Sequence, residues 1–284
     1  MDIFMASPMP MPLAGAWIPS PAGAVAPINP QLTFNHAFDA DQSTINTGST
    51  GSGNSLAGNG TATAINGDVG FIQNIGQAIN PSTVAPMHGI LDGSFPAQKL
   101  VSDGGAGKAI LNDAATFTRL VTPTGFGNPP VPYVQAGLVW FPEGENGGYM
   151  FAMGNYLGAV YSVDGGADGT EGLGVYSGGA AGLNNIGFPN TIWRSFVMVC
   201  RTNDTRLYVD AVANVVQASN VGNGNLGGFL QWGAPSNSAA LGERTNGMWK
   251  LRYVGDSSKV PTDDQAGLDL IAGWLAYLNS RKPS

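Results

Sequence analysis

Apolar and polar residues alternate over short runs through most of this chain, and the runs end at Gly, Asn or Pro. The clearest runs from Trp193 to Cys200, where Phe196, Met198 and Cys200 alternate with Val197 and Val199 in a stretch rich in β-branched and aromatic residues. Thr202, Asn203, Asp204 and Thr205 follow, short polar residues whose side chains bond their own backbone in turns. Arg206 to Val209 starts a return strand, so the pair predicts a β-hairpin whose apolar face needs another sheet to cover it. Further runs at 134–141, 149–153, 157–163, 172–176, 212–217, 228–232 and 248–254 predict short strands at roughly even spacing. Residues 110–120 alternate around Phe117 and Leu120, and 61–75 hold short strands. By contrast, 80–107 is punctuated by Pro81, Pro86, Pro96 and several glycines and reads as loops over the sheets. This succession predicts an all-β sandwich or jelly roll. No repeat with a period of about 20–50 residues points to a propeller or solenoid.

The end of the chain changes period. Thr262 and Gln265 have capping-box spacing, with Asp263 and Asp264 in the first turn, and Leu268, Ile271, Leu275 and Leu278 recur at helical intervals. One amphipathic helix is predicted at about 262–279, packed on the sandwich and followed by Arg281 and Lys282. The beginning differs again. Residues 1–30 carry a single charge, Asp2, and repeated prolines among Met, Leu, Ile and Trp17, a composition that cannot sustain a helix and favours extended backbone. It reads as a docking arm that lies on its own domain or on a neighbouring subunit, leaving 31–284 as a single sandwich domain.

Composition narrows the partners. Only 11% of the 284 residues are charged, against a usual ~25%, and 42 are glycine, so the surface is loop-rich and largely neutral, as in proteins covered by neighbours in an assembly. The net charge is −7 and the first Lys or Arg is Lys99, which disfavours binding to nucleic-acid backbones or anionic membranes. The N-terminal stretch has no positive n-region and no apolar run long enough to span a bilayer, so neither a signal peptide nor membrane insertion is expected. Cys200 is the sole cysteine, which leaves no intrachain disulfide and no multi-cysteine metal site; inside a strand it reads as a buried, inert thiol.

W-R-S-F-V-M-V, a polar turn and R-L-Y-V-D (Trp193 to Asp210) resemble the hallmark hairpin of laminin-G-like, concanavalin A-like jelly rolls. Ala211 stands where that family has a glycine. F-D-A-D-Q-S-T-I (Phe38 to Ile45) is similar to the opening of such domains, and W-K-L-R-Y-V-G-D with the helix through Leu278 is similar to their ending. Together these bracket residues ~35–280 as one domain. The resemblance implies a domain of the kind found in phage virion components and bacterial surface proteins. It leads to the expectation of a non-enzymatic virion structural protein, a capsid decoration or tail-appendage subunit. Such a protein is made in a host cytoplasm, exposed on the particle, anchored by its arm to neighbouring capsid or tail subunits, and present as a homo-oligomer or lattice. The alternative is a carbohydrate-binding module for host or environmental glycans, and a third reading is a glycan hydrolase or lyase.

Candidate chemistry is sparse. A sandwich glycosidase needs two carboxylates across one sugar bond, and the resembled retaining enzymes carry them as E-x-D-x-x-E. The four glutamates, Glu143, Glu145, Glu171 and Glu243, do not form that pattern, so no catalytic residue is expected. His36 or His88 can be combined with a serine and an aspartate on paper, but no G-x-S-x-G elbow accompanies them, and structural hydrogen bonding is the simpler account. In V-D-G-G-A-D-G-T-E-G, Asp164, Asp168 and Glu171 offer hard oxygen ligands suited to Ca²⁺, although the spacing is not an EF-hand and Asp-Gly pairs also serve ordinary turns. Otherwise no cofactor is expected. Trp140, Tyr149, Tyr156, Tyr161, Tyr176 and Trp232 are available as sugar platforms or as core.

Overall fold

The computed structural model describes residues 25–48, 60–76, 88–92, 95–113, 118–122, 132–144, 149–153, 157–163, 172–176, 184–187, 191–201, 204–218, 230–233 and 246–284. In chain order the described strands are β1 His36–Asp39, β2 Ile45–Asn46, β3 Asp68–Val69, β4 Phe71–Ile72, β5 Gly89–Leu91, β6 Gln98–Ser102, β7 Lys108–Asn112, β8 Arg119–Val121 and β9 Tyr133–Trp140. Next come β10 Tyr149–Met153, β11 Leu157–Val163, β12 Gly172–Tyr176, β13 Asn184–Gly187, β14 Arg194–Arg201, β15 Asp204–Val209, β16 Ala211–Ala218, β17 Leu230–Gly233 and β18 Gly247–Gly255. Among the described residues a single α-helix, α1 Gln265–Ser280, follows them.

The strands form two antiparallel sheets. The first runs β16-β15-β14-β9-β18-β7-β6-β3, with β1 beside the second half of β18; the second runs β13-β12-β11-β10-β17-β8-β5-β4-β2. The core lies between them. On β14 the period of two sends Phe196, Met198 and Cys200 into it, where they meet Phe151, Val160, Leu230 and Trp232 of the second sheet. The other face of β14 is equally apolar. Val197 and Val199 join Ala136, Leu138, Leu251 and Tyr253 against Ile271, Trp274, Leu275 and Leu278 of α1. The first sheet is therefore buried on both faces, which is why its central strands read as nearly continuous apolar runs. The predicted hairpin is present as β14 and β15, in register from Phe196–Val209 to Arg201–Asp204.

Two local expectations need revision, and one strand is unanticipated. The 80–107 stretch contains β5 and β6; its prolines mark their flanks, where a missing N–H costs no ladder bond. His36–Asp39 is a strand with all four residues buried. The helix begins at Gln265, because the Asp264 side chain accepts the Gly267 N–H at 3.0 Å and serves as the cap, while Thr262 donates its hydroxyl to Asp264 at 2.6 Å.

The N-terminal segment enters the described structure on α1. Ile28 N–H donates to Gly273 O at 2.9 Å, and a Cβ on Gly273 would stand 2.5 Å from Ile28 Cδ1, so the chain lies close against a glycine notch in the helix. A 3₁₀ turn, Pro30–Leu32, follows, capped by Asn29. Phe34 then wedges edge-on against Trp274 and Tyr253, with ring centroids 4.7 and 6.3 Å apart.

Candidate functional site

The sequence motifs of the hairpin, the opening and the ending converge on the C-terminal end of α1. Asp210, the aspartate of L-Y-V-D, sits at φ +61° and accepts the Ser195 N–H at 3.0 Å, with Arg194 and Lys282 each 2.7 Å from its carboxylate. Asn279 of α1 donates to Asp210 O at 2.8 Å and accepts from Ser195 Oγ at 2.9 Å. Here the left-handed residue is Asp210, so Ala211 at the family's glycine position takes ordinary backbone. Asp39 and Asp41 of F-D-A-D flank Arg281 at 3.0 and 3.2 Å, and Asp41 reaches Lys250 of β18 at 3.1 Å. Lys250 also pairs with Asp103, which takes the Gly105 and Gly107 N–H groups and whose carbonyl accepts the Trp193 indole at 3.1 Å. Burial pushes the carboxyls of Asp103 and Asp210 up. The lysines beside them, the backbone donors and, at Asp210, Arg194 outweigh it and hold both below the usual range. Asp39 has the opposite balance: burial leaves its carboxyl raised despite Arg281. These charges latch the helix to the first sheet.

Inside the sandwich, Arg252 is fully buried and bridges the sheets, donating to Gln231 O at 2.7 Å and Ala152 O at 3.0 Å. Its guanidinium lies 4.8 Å from the Phe151 ring centre and 4.7 Å from that of Trp232. Trp232 also stacks on Trp249 and meets Phe38 edge-on, so it is a core residue and no sugar platform. Cys200 is buried, its thiol accepts from Thr205 Oγ1 at 3.3 Å, and burial raises its pKa.

His36 and His88 both meet Asn74, His36 through the side-chain amide at 2.9 Å and His88 by accepting the Asn74 N–H at 3.0 Å. Burial, with the charge of Arg252, lowers His36 to about 3, and burial lowers His88 as well. Neutral imidazoles around one asparagine make a structural clasp. Glu143 lies in an exposed turn. Glu145, Glu171, Glu243, Tyr156 and the Ca²⁺ candidates Asp164, Asp168 and Glu171 fall outside the described residues. Among the described residues no group of three or more His, Cys, Asp or Glu is placed to hold a metal, and no helix is long and apolar enough to cross a membrane.

Two surfaces remain. On the second sheet, Tyr149 of β10 pairs with Tyr161 of β11, Tyr161 with Gly174 of β12, and Ala159 with Tyr176. Val160 and Leu173 belong to the core and alternate along β11 and β12 with Tyr161, Gly174 and Tyr176, so the backbone register assigns the row that holds Tyr149, Tyr161 and Gly174, and the pair Ala159 and Tyr176, to the other face of the sheet. Gly174 and Ala159 stand between the tyrosines, and the first row continues to Asn185 of β13. A shift of register between Tyr149 and Phe151 makes this possible. The second surface is an open groove of about 450 Å³ on the helix side, between the 3₁₀ turn at Pro30–Leu32, the linker through Val260 and Pro261, and the first turns of α1. Leu32, 66% exposed, forms one wall and Trp274 is a lining residue, whose indole N–H is itself buried and has no acceptor.

No family model matches the sequence, and no curated protein does. Solved structures do. The chain is similar to a mutant GH54 α-L-arabinofuranosidase soaked with 4-nitrophenyl α-L-arabinofuranoside, at 9% identity and TM-score 0.51, over 85% of this chain and 63% of that one. It is also similar to domain 4 of a GH43 extracellular arabinanase from Geobacillus stearothermophilus bound to arabinotriose (17% identity, TM-score 0.43, 68% and 91% covered). A third is Trypanosoma rangeli sialidase with 2,3-difluorosialic acid (10% identity, TM-score 0.48, 87% and 33% covered). The chain thus spans less than two thirds of the arabinofuranosidase and a third of the sialidase. The arabinofuranosidase likeness is one of fold, and the other two fall below the level at which a likeness carries an argument. That likeness of fold, to a carbohydrate-active enzyme, corrects the expectations of a virion structural subunit and of a protein with no enzymatic role. The motif that suggested a virion protein is accounted for locally, since its charged residues serve the helix latch.

Proposed function

We propose that this chain is a glycan-recognising β-sandwich of the concanavalin A-like jelly-roll type, with the outer face of its second sheet as the sugar platform. The observation that carries the reading is the register of β10, β11 and β12, which gathers Tyr149, Tyr161 and Tyr176 on one face with Gly174 and Ala159 as small neighbours. Aromatic rings separated by small residues suit the apolar face of a sugar, and an amide such as Asn185 suits its hydroxyls. The fold-level likeness to an arabinofuranosidase supports arabinose-containing polysaccharides as the first ligands to try. Affinity electrophoresis on arabinan, arabinoxylan and a sialylated glycan should retard the protein in at least one gel. Tyr161→Ala should reduce that retardation at least tenfold while leaving the thermal midpoint nearly unchanged. An unretarded wild-type protein, together with an empty glycan array, would remove the proposal.

Hydrolysis is the second reading, favoured by the same likeness. In the described part the aspartates of the opening motif and the hairpin are engaged in ion pairs, so the first carboxylates to test as acid and nucleophile are Glu145, Glu171 and Glu243. Release of 4-nitrophenol from 4-nitrophenyl α-L-arabinofuranoside, lost in one of the three Glu→Gln variants, is the expected signature. Equal rates in all three variants would exclude these residues.

A further inference from the structure

The groove lies on the helix side of the first sheet, away from the tyrosine face, and sugar recognition does not use it. We propose that residues 1–24 of this chain dock in it, in cis, as a proline-rich strap. Three observations lead there. First, the chain joins the described structure at the groove's edge: Ile28 is hydrogen-bonded to Gly273 of α1, and Leu32, four residues on, is a wall of the groove. At about 3.1 Å per extended residue, a handful of the preceding residues suffices to cross it.

Second, the segment has the composition of something that must be covered. Residues 1–24 carry one charge, Asp2, and spread Phe4, Leu13, Trp17 and Ile18 among prolines and methionines, including the run Pro8-Met9-Pro10-Met11-Pro12. Prolines at that density deny it a helix of its own, so its apolar side chains are removed from water only by docking on a surface that is already folded.

Third, the groove complements it. Leu32, Val260 and Leu270 offer apolar walls, and Trp274 is a lining residue. A proline-rich strand, extended and apolar in advance of binding, is the kind of segment that aromatic-lined grooves recognise. Covalent connection also favours the chain's own segment over a second copy, because it acts at an effective concentration of order millimolar.

The test uses the full chain. Cys200 is buried, so a nitroxide attached to Ser7→Cys labels one site. With ¹⁵N-labelled tryptophan, the Trp274 indole signal should broaden, and the effect should survive tenfold dilution. It should vanish in a mixture of spin-labelled ¹⁴N chain with unlabelled ¹⁵N chain. Leu32→Glu, at an exposed position, should abolish the broadening with little change in thermal midpoint. An unbroadened Trp274 signal overturns the proposal, as does insensitivity to Leu32→Glu. Broadening in the mixed sample also overturns it, by assigning the groove to a second copy.

Discussion

A guanidinium between two sheets has to replace the water it gives up, and Arg252 does so with two carbonyls of the opposite sheet and two ring faces. Burial lowers its pKa to about 9, still above neutrality, so the charge is retained. Truncation removes volume and both bonds, and Arg252→Ala should lose roughly 3–5 kcal/mol in chemical denaturation. Arg252→Met keeps most of the volume and removes the desolvated charge, so it should cost about 1–2 kcal/mol. Equal losses in the two variants would show that the hydrogen bonds, rather than the filling of space, join the sheets. His36 sets a second residue-level expectation. Its folded pKa is about 3, against ~6.5 in an unfolded chain, so below pH ~6.5 the unfolded state takes up a proton that the folded state refuses. Stability should therefore fall by up to ~1.4 kcal/mol per pH unit from pH ~6.5 towards 3. His36→Gln should flatten the curve of thermal midpoint against pH in that window. His88, lowered by burial, adds in the same direction. The depressed carboxyls of Asp41, Asp103 and Asp210 act in a lower window. Their contribution is complete above the unfolded value of ~3.9 and is lost as pH falls through their folded values. Asp39, being raised, returns stability as pH falls.

At the scale of elements, the hairpin and the helix are one unit. Asp210 ties the β15–β16 turn to Ser195 and Arg194 of β14 and to Lys282 beyond α1. Asp210→Ala should cost about 2–4 kcal/mol, since it strands several charged donors and forces alanine into positive φ. Hydrogen exchange should quicken at Leu278 and Asn279 before it does on β9 or β14; uniform quickening would mean that the latch and the sheet melt together. Much of this was legible in the sequence. Strands of five to eight residues show because a period of two persists long enough to be seen, as in β9, β11 and β14. β5 and β1, with three and four residues, are too short to display a period, and β6 hides among prolines and glycines. The helix start is displaced because Thr262 and Asp264 both satisfy a capping pattern, and only the backbone decides between them. The aromatic set of the candidate site could be listed from sequence, but its sorting could not. Plain alternation puts Tyr149 and Phe151 on one face. The register shift between them breaks that alternation, with Phe151 in the core, and no residue in the stretch announces it.

At the scale of the whole molecule, the layers run from α1 through the first sheet and the core to the second sheet, and each layer gives the next its apolar partner. That order separates the proposed activities, with sugar recognition on the far face of the second sheet and the strap on the helix side. It also makes α1 indispensable in a way that sandwich-forming strands alone would not suggest. The face of the first sheet under the helix presents Ala136, Leu138, Val197, Val199, Leu251 and Tyr253, all fully or almost fully buried. A chain ending at Val260 would offer this face to water as a contiguous apolar patch, larger than the few hundred Å² that monomeric proteins tolerate. It would also leave Asp39, Asp41 and Asp210 without the Arg281 and Lys282 that partner them. Both losses act in the same direction. The truncated chain should self-associate in light scattering and bind a hydrophobic dye, with its remaining transition many degrees lower. Arg281→Ala in the full chain, which weakens the latch and leaves the apolar cover in place, should lower the midpoint by only a few degrees and leave the association state of the full chain unchanged. The contrast between the two is the informative quantity. If the point variant associates as readily as the truncation, the charges rather than the apolar contact hold the helix layer in place. A truncated chain with the same association state and the same midpoint as the full chain would mean that the first sheet does not depend on α1 for its cover.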